Sequence, residues 1–282
     1  MPKIQWYPGH IAKYERQLKD LLKQVDVVVY ILDARIPEAT LNPRLEKQFA
    51  NSNKPVLLLL NKTDLADPGQ TEAWTKAFKE RFGSVVSFEA LQGKGKQQII
   101  KSLQKLAEAK IQALMAKGFK RRPVRVLVAG MPNVGKSSVI NSLVGKKKAK
   151  TGHRAGVTRQ PQWVRVHTGV ELLDIPGVIP PNLESDEAGF LLAVVNAVGD
   201  AAFDDEEAAQ FLLDRIETVS IGTARRYYHV PEEEPLKLYT VALARQFKLP
   251  GGDPDEIRAA QAVLSDFRHG RLGALTLEPC KE

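Results

Sequence analysis

Residues 123–144, PVRVLVAGMPNVGKSSVINSLV, constrain the fold more than any other stretch. An apolar run rich in Val and Leu leads into G-x-x-x-x-G-K-S, and that turn opens a periodic apolar segment closed by Gly145. Strand, glycine turn and helix in that order make a phosphate-binding loop. The glycines let backbone N–H groups turn inward on an anion, and a helix N-terminus adds about half a positive charge. Gly130, Asn133, Val134, Gly135, Lys136, Ser137 and Ser138 are the expected cradle. Lys136 is suited to the β and γ phosphates and Ser137 to a magnesium ion. Downstream, LLDIPG puts Asp174 at the end of an apolar strand, where it can hold magnesium, and Gly177 where its N–H can sense a γ phosphate. Thr158, in the polar segment between them, can ligate the same ion.

The rest of the chain fits an α/β architecture around that loop. DVVVYILDA (26–34) and KPVLLLLN (54–61) are continuous apolar runs, which suit strands buried on both faces of a parallel sheet. HIAKYERQLKDLLKQ (10–24) has helical periodicity, as do residues 70–82 and 95–117, and SVVSF is a short strand. WVRVHTGVELLDIPG reads as a hairpin. Strands alternating with helices predict a mainly parallel sheet with helices on both faces over residues 1–180. Past Pro180-Pro181 the pattern is helical only, so a small all-α domain is expected over 181–282. Its clearest helix begins at GGDPDEIRAAQAVLSDF, with Asp253 expected as cap and Ile257, Ala260, Leu264 and Phe267 as its buried face.

A phosphate loop alone suits an ATPase, a small-molecule kinase or a GTPase. Asn61-Lys62-Thr63-Asp64, at the end of an apolar strand, separates them. A carboxylate at Asp64 can accept from guanine N1–H and from its exocyclic amine. Adenine offers neither donor, and an unpaired buried acceptor costs on the order of 1–3 kcal/mol. Asn61 is expected to tie this segment to the phosphate loop, and the Lys62 stem to cover the base. The base reader therefore precedes the phosphate loop by about seventy residues. Cutting one loop of a sheet and joining the old ends preserves its contacts, so a circularly permuted Ras-like P-loop GTPase domain is the expected fold.

Charge is unevenly spread. Residues 1–182 carry 31 Lys/Arg against 14 Asp/Glu, and residues 183–282 carry 10 against 19. The 62 residues from Ala109 to Val170 hold 14 Lys/Arg and no acid, the footprint of a polyanion partner. KKKAKTGHR (146–154), Arg225-Arg226 and Arg268/Arg271 are candidate RNA contacts. One cysteine, Cys280, and the lack of an apolar leader or span predict a cytoplasmic or organelle-matrix protein with no membrane partner.

WYPGHIAK (6–13), DARIPEAT (33–40), NKTDL (61–65), GMPNVGKSS (130–138), GVTR (156–159), DIPGV (174–178) and FRHGRLGALTLE (267–278), in this order, resemble the YlqF/RbgA family of circularly permuted GTPases, ribosome biogenesis GTPase A. The resemblance implies GTP and GDP with Mg2+, a large ribosomal subunit and its rRNA as partners, stimulated hydrolysis and a monomer. It also implies that the Ala90 N–H in EALQG meets guanine O6, although Glu89 stands where such proteins usually have serine. It further implies that Asn133 helps hold K+. Val178 and Ile179 cannot orient an attacking water, so His10 is the expected water-handling residue, with Lys136 and Thr158 as the other catalytic groups and His153 as a rival. The competing readings are a non-catalytic GTP-dependent RNA-binding switch and a P-loop kinase.

Overall fold

The computed structural model describes residues 8–145, 162–174, 185–198 and 203–281, with the backbone alone at 8–15, 162 and 174. Among the described residues six strands form one sheet: β1 (Val27–Asp33), β2 (Val56–Asn61), β3 (Val85–Phe88), β4 (Val124–Gly130), β5 (Gln162–His167) and β6 (Val170–Asp174). Their order is β3-β2-β1-β4-β6-β5, parallel except for β5, which pairs antiparallel with β6 as the expected hairpin. All seven residues of β1 are buried, as a central strand covered on both faces requires.

Alternate residues of each strand serve opposite layers. Val28, Tyr30 and Leu32 of β1 meet Leu18 and Leu22 of α1 (Pro8–Gln24), Leu45 and Phe49 of α2 (Pro43–Asn51) and Phe78 of α3 (Pro68–Phe82). Val27, Val29 and Ile31 face Ile99, Leu103 and Ala107 of α4 (Lys96–Ala116) and Val139, Ile140 and Leu143 of α5 (Lys136–Val144). That second layer continues without a break into the apolar faces of α6 (Asp186–Val194), α7 (Asp205–Val219), α8 (Thr223–Tyr228), α9 (Leu238–Ala244) and α10 (Glu256–Arg268). No helix among the described residues is long and apolar enough to cross a membrane.

Helix starts follow side-chain chemistry. Asn42 accepts from the N–H groups of Arg44 and Leu45 ahead of α2, and Asp67 accepts from Gln70 ahead of α3, each with proline in the first turn. α10 corrects its expected cap. Asp255 accepts from the Arg258 N–H, whereas the Asp253 carbonyl accepts from Leu249 N and Pro254 bridges Lys248. The chain stays extended two residues longer than the sequence suggests. The buried face is then Ala259, Ala260, Val263, Leu264 and Phe267, and Ile257 is exposed.

Asp26 locks β1 to β4, the two strands from which the chain runs outward in opposite directions. Its buried carboxylate accepts from Arg122 Nη1 (2.7 Å) and Nη2 (2.9 Å) and from Arg125 N (3.0 Å), and its own N–H donates to Arg125 O (2.7 Å). Burial pushes this carboxyl up, but Arg122 and Lys110 outweigh it and hold it at about 2. A depressed acid stabilises the fold above its unfolded value near 4, and that contribution disappears as pH falls toward 2. Asp26→Ala is expected to cost about 2–3 kcal/mol in denaturant titration at pH 7 and about half of that at pH 3.

Candidate nucleotide site

All the described candidate site elements lie at the carboxyl ends of the strands, around the β1–β4 junction where the strand order reverses. That crevice is where open α/β sheets bind ligands. The phosphate loop leaves β4 at Gly130, whose φ of 151° only glycine adopts readily, and a Cβ there would stand 2.5 Å from the Ile31 carbonyl of β1. Gly135, at φ 98°, opens α5 and comes so close to the Asn61 side chain that a Cβ would overlap it. Lys136 is buried, with Nζ donating to the carbonyls of Gly130 (3.2 Å) and Met131 (2.9 Å). Its ammonium thus sits inside the curve of its own loop. Ser137 and Ser138 follow in the first turn of α5, both half-buried.

The Asn61–Asp64 segment, expected to read the base, is fastened to that loop by two bonds. Asn61, buried at the end of β2, donates from Nδ2 to the Val134 carbonyl at 2.8 Å. Lys62 takes a left-handed conformation (φ 63°), and its Nζ donates to the Asn133 carbonyl at 2.7 Å. A short 3-10 turn, Thr63–Leu65, then carries Asp64. Thr63 Oγ1 donates to the Phe88 carbonyl at 3.4 Å, tying the turn to the end of β3. Phe88 pairs with Asn61 across the sheet, and Ala90 follows two residues after it. Glu89, in the unusual serine place, pairs with Lys94 at 3.1 Å.

A carboxylate that sequence reasoning left without a role holds this arrangement together. Asp33 ends β1 fully buried. Its Oδ1 accepts from Arg35 Nε (2.9 Å), and its Oδ2 accepts from Arg35 Nη2 and from Lys62 Nζ (both 2.8 Å). Burial works to raise this carboxyl, yet Arg35 and then Lys62 hold it well below the ordinary carboxylate range. Burial likewise pushes the Lys62 ammonium down, against the pull of Asp33. The Arg35 guanidinium also lies 5.0 Å over the Phe267 ring of α10. The available signal was a carboxylate placed directly after an apolar strand, which demands a cation.

The fit to a guanine nucleotide can be read from leftover chemistry. Among the described residues, Asn61 Oδ1 is a buried acceptor without a hydrogen-bond partner. The loop beside it has a glycine contour, with a buried ammonium at its centre. These suit a polyanion carrying a base with N–H donors. Asn133, left-handed at φ 56°, donates through its amide to the carbonyl of Asn196, in the turn after α6. Of the other expected residues, Asp174 ends β6 and His10 lies in α1, each described by its backbone. Thr158, Gly177, His153, Val178, Ile179 and the 146–154 basic run lie outside the described residues. The candidate RNA arginines also make contacts within the helical segment, with Arg226 and Arg271 remaining exposed. Arg268 caps α6 through the carbonyls of Val194 (2.8 Å) and Ala193 (2.9 Å), and Arg271 pairs with Asp266 (2.7 Å). Arg225 donates to the carbonyls of Pro231 and Glu234, and Arg226 to Thr223. A guanidinium near a helix end has unpaired carbonyls within reach, which the sequence alone does not display.

A phosphate loop bonded directly to an N-K-x-D base reader, on a six-stranded sheet, defines a P-loop GTPase, a hydrolase of GTP to GDP and phosphate. Residues 125–225 match the family described as 50S ribosome-binding GTPase. The chain is 37% identical over 283 residues to ribosome biogenesis GTPase A of Priestia megaterium, covering 99% of this chain and 98% of that one. It is 32% identical over 275 residues to the Thermotoga maritima protein of the same name, covering 98% and 94%. The crystal structure of GNP-bound YlqF from T. maritima is similar over 96% of this chain and 99% of that one, with TM-score 0.66 and 27% identity. The chain belongs to the ribosome biogenesis GTPase A family, whose order of motifs is the permuted one. The kinase and the non-catalytic readings fall with that assignment.

Gly135→Ala is expected to force apart the Asn61–Val134 contact, and nucleotide affinity by calorimetry should fall by about a hundredfold with the fold retained by circular dichroism. Asp33→Asn removes the charge that Arg35 and Lys62 share. Thermal stability is expected to drop by the equivalent of about 3 kcal/mol, with guanine nucleotide affinity falling alongside it.

Proposed function

We propose that this GTPase is an assembly factor for the large ribosomal subunit, and that its nucleotide state switches its affinity for the particle and its rRNA. The observation that carries the guanine reading is the 2.8 Å bond from Asn61 to the Val134 carbonyl, which brings base reader and phosphate loop into one pocket. The large subunit is supported by the description of the matching family, and rRNA by the acid-free basic stretch from Ala109 to Val170. In this reading residues 1–180 and 181–282 act as two units, joined by the segment that follows the γ-phosphate sensor Gly177. The protein works as a monomer in the cytoplasm.

Guanine is selected by Asp64, with Ala90 at O6. Lys136 neutralises the β and γ phosphates. Ser137, Thr158 and Asp174 would hold Mg2+, which would supply positive charge to the phosphates. His10 orients the attacking water, and the particle orders it. Asn133 would help hold K+, which would supply positive charge of the kind an arginine gives elsewhere. The Asn133–Asn196 contact supports a second route by which the phosphate loop senses the helical segment.

Asp64→Ala is expected to lower the preference for GTP over ATP by about ten- to a hundredfold in competition binding, and an unchanged ratio would remove the guanine assignment. Large subunits should co-sediment with the protein in a non-hydrolysable GTP analogue and release it in GDP. Equal sedimentation in both nucleotides would end the switching proposal. Particle-stimulated turnover should collapse in His10→Ala and slow when sodium replaces potassium.

A further inference from the structure

The three-residue turn that carries Asp64 is too short to hold a carboxylate in place by itself. Its own backbone contributes one bond, Leu65 N to the Lys62 carbonyl at 2.9 Å. Upstream, Asn61 and Lys62 fasten it to the phosphate loop. Downstream, its support comes from the far end of the chain. Leu275 N donates to the Leu65 carbonyl at 3.0 Å, and Asp67 N donates to Thr276 Oγ1 at 3.1 Å. Thr276 Oγ1 in turn donates to the Ala34 carbonyl (3.4 Å), and Leu277 N donates to the Arg35 carbonyl (2.8 Å). The tail therefore lies between the loop leaving β1 and the base-reading segment, bonded to both. Gly270, at φ 72° in the turn after α10, packs so closely on Leu65 that a Cβ there would come within 2.6 Å of the leucine.

The seat is built rather than grazed. Leu275, Thr276 and Leu277 are buried, at 6%, 3% and 0% exposure. Glu278 anchors the far end: its carboxylate accepts from Ala39 N (3.1 Å), and its carbonyl accepts from Trp74 Nε1 (2.7 Å). Arg215 of α7 donates to the Leu277 carbonyl at 2.6 Å. Four polar groups of the tail (Leu275 N, Thr276 Oγ1, Leu277 N and the Glu278 carboxylate) thus complete the hydrogen bonding of two loops more than 200 residues away.

We propose that the carboxy-terminal tail is a structural part of the guanine site: Leu275 and Thr276 are positioning residues that hold the base-reading turn, and so set both base selectivity and nucleotide residence time. The inference rests on the reading of Asp64 as the guanine acceptor. A carboxylate accepting two bonds from one base edge discriminates only if its position is fixed within a fraction of an ångström. Loosening the turn lowers the advantage of guanine over bases that offer fewer donors, whereas lowering global stability does not. Because the tail continues from α10, the residence time of GDP becomes a property of the helical segment as well as of the phosphate loop.

The test uses the full-length protein, with a fluorescent GDP chased from the site and with affinities for GDP, IDP and ADP. Hypoxanthine lacks the exocyclic amine, so the GDP/IDP ratio reads the second bond to Asp64. Thr276→Val, which keeps shape and burial but removes the hydroxyl, is expected to lower that ratio and speed GDP release, each by about tenfold, the equivalent of one lost hydrogen bond. Thr276→Ser should behave as wild type. Thr240→Val is the matched control: its buried hydroxyl donates to the carbonyls of Pro235 and Lys237, within the helical segment, and its loss should lower Tm while leaving ratio and release unchanged. If Thr276→Val fails to fold, Trp74→Phe, which releases the Glu278 carbonyl but keeps a ring, is expected to speed release in the same direction. A wild-type ratio and release rate in whichever of these two variants folds, or equal changes in Thr240→Val, would overturn the latch. A wild-type protein that holds ADP as tightly as GDP would instead overturn the role of Asp64 on which the latch stands.

Discussion

The buried carboxylate of Asp33 is the constraint on which the site depends. It lies at the end of the central strand, with no solvent to share its charge, and takes up two cations from different places. Arg35 turns back from the loop after β1, and Lys62 reaches across from the base-reading segment. Removing an ion of this kind from water costs several kcal/mol, so the pair geometry must be nearly complete for the fold to tolerate it. Once it is complete, three things are fixed together. The β1 loop is turned back, the lysine stem is laid along the phosphate loop, and the guanidinium is presented to the ring of Phe267.

Close backbone approach does the remaining work around the phosphates. Gly130 lies against the Ile31 carbonyl of β1, and Gly135 lies against the Asn61 side chain of β2. In both places a methyl group would prevent the contact. The two halves of the permuted sheet therefore meet at the phosphate loop with no side chain from the glycines between them. Chain order is irrelevant to these contacts, which is why a base reader encoded before the loop can serve it as well as one encoded after.

The helical segment is tied to the site at several points. Asn133 bonds the turn after α6, and the tail crosses the turn that carries Asp64. Apolar residues of α6 to α10 also join the same continuous core as one face of the sheet. A movement of this segment would therefore strain both the phosphate side and the base side of the pocket. A regulated GTPase gains from such an arrangement, because its state can be read and altered from outside the pocket.

Apolar runs at residues 26–34 and 54–61, the glycine-lysine turn and the N-K-T-D segment determined by themselves the parallel sheet, the phosphate loop and the permuted order. Each is a local pattern whose periodicity or backbone demand allows few outcomes. Only the tertiary structure decided which cations neutralise Asp33, that Arg268 is a helix cap and not a free surface charge, and that Asp255 and not Asp253 starts α10. It alone seated DARIP and ALTLE against each other. Those outcomes are hydrogen bonds and ion pairs between groups up to 242 residues apart, as between Ala34 and Thr276. A polar residue carries in its sequence neighbourhood the need for a partner, but the partner's identity is set by how the sheet and its helices pack.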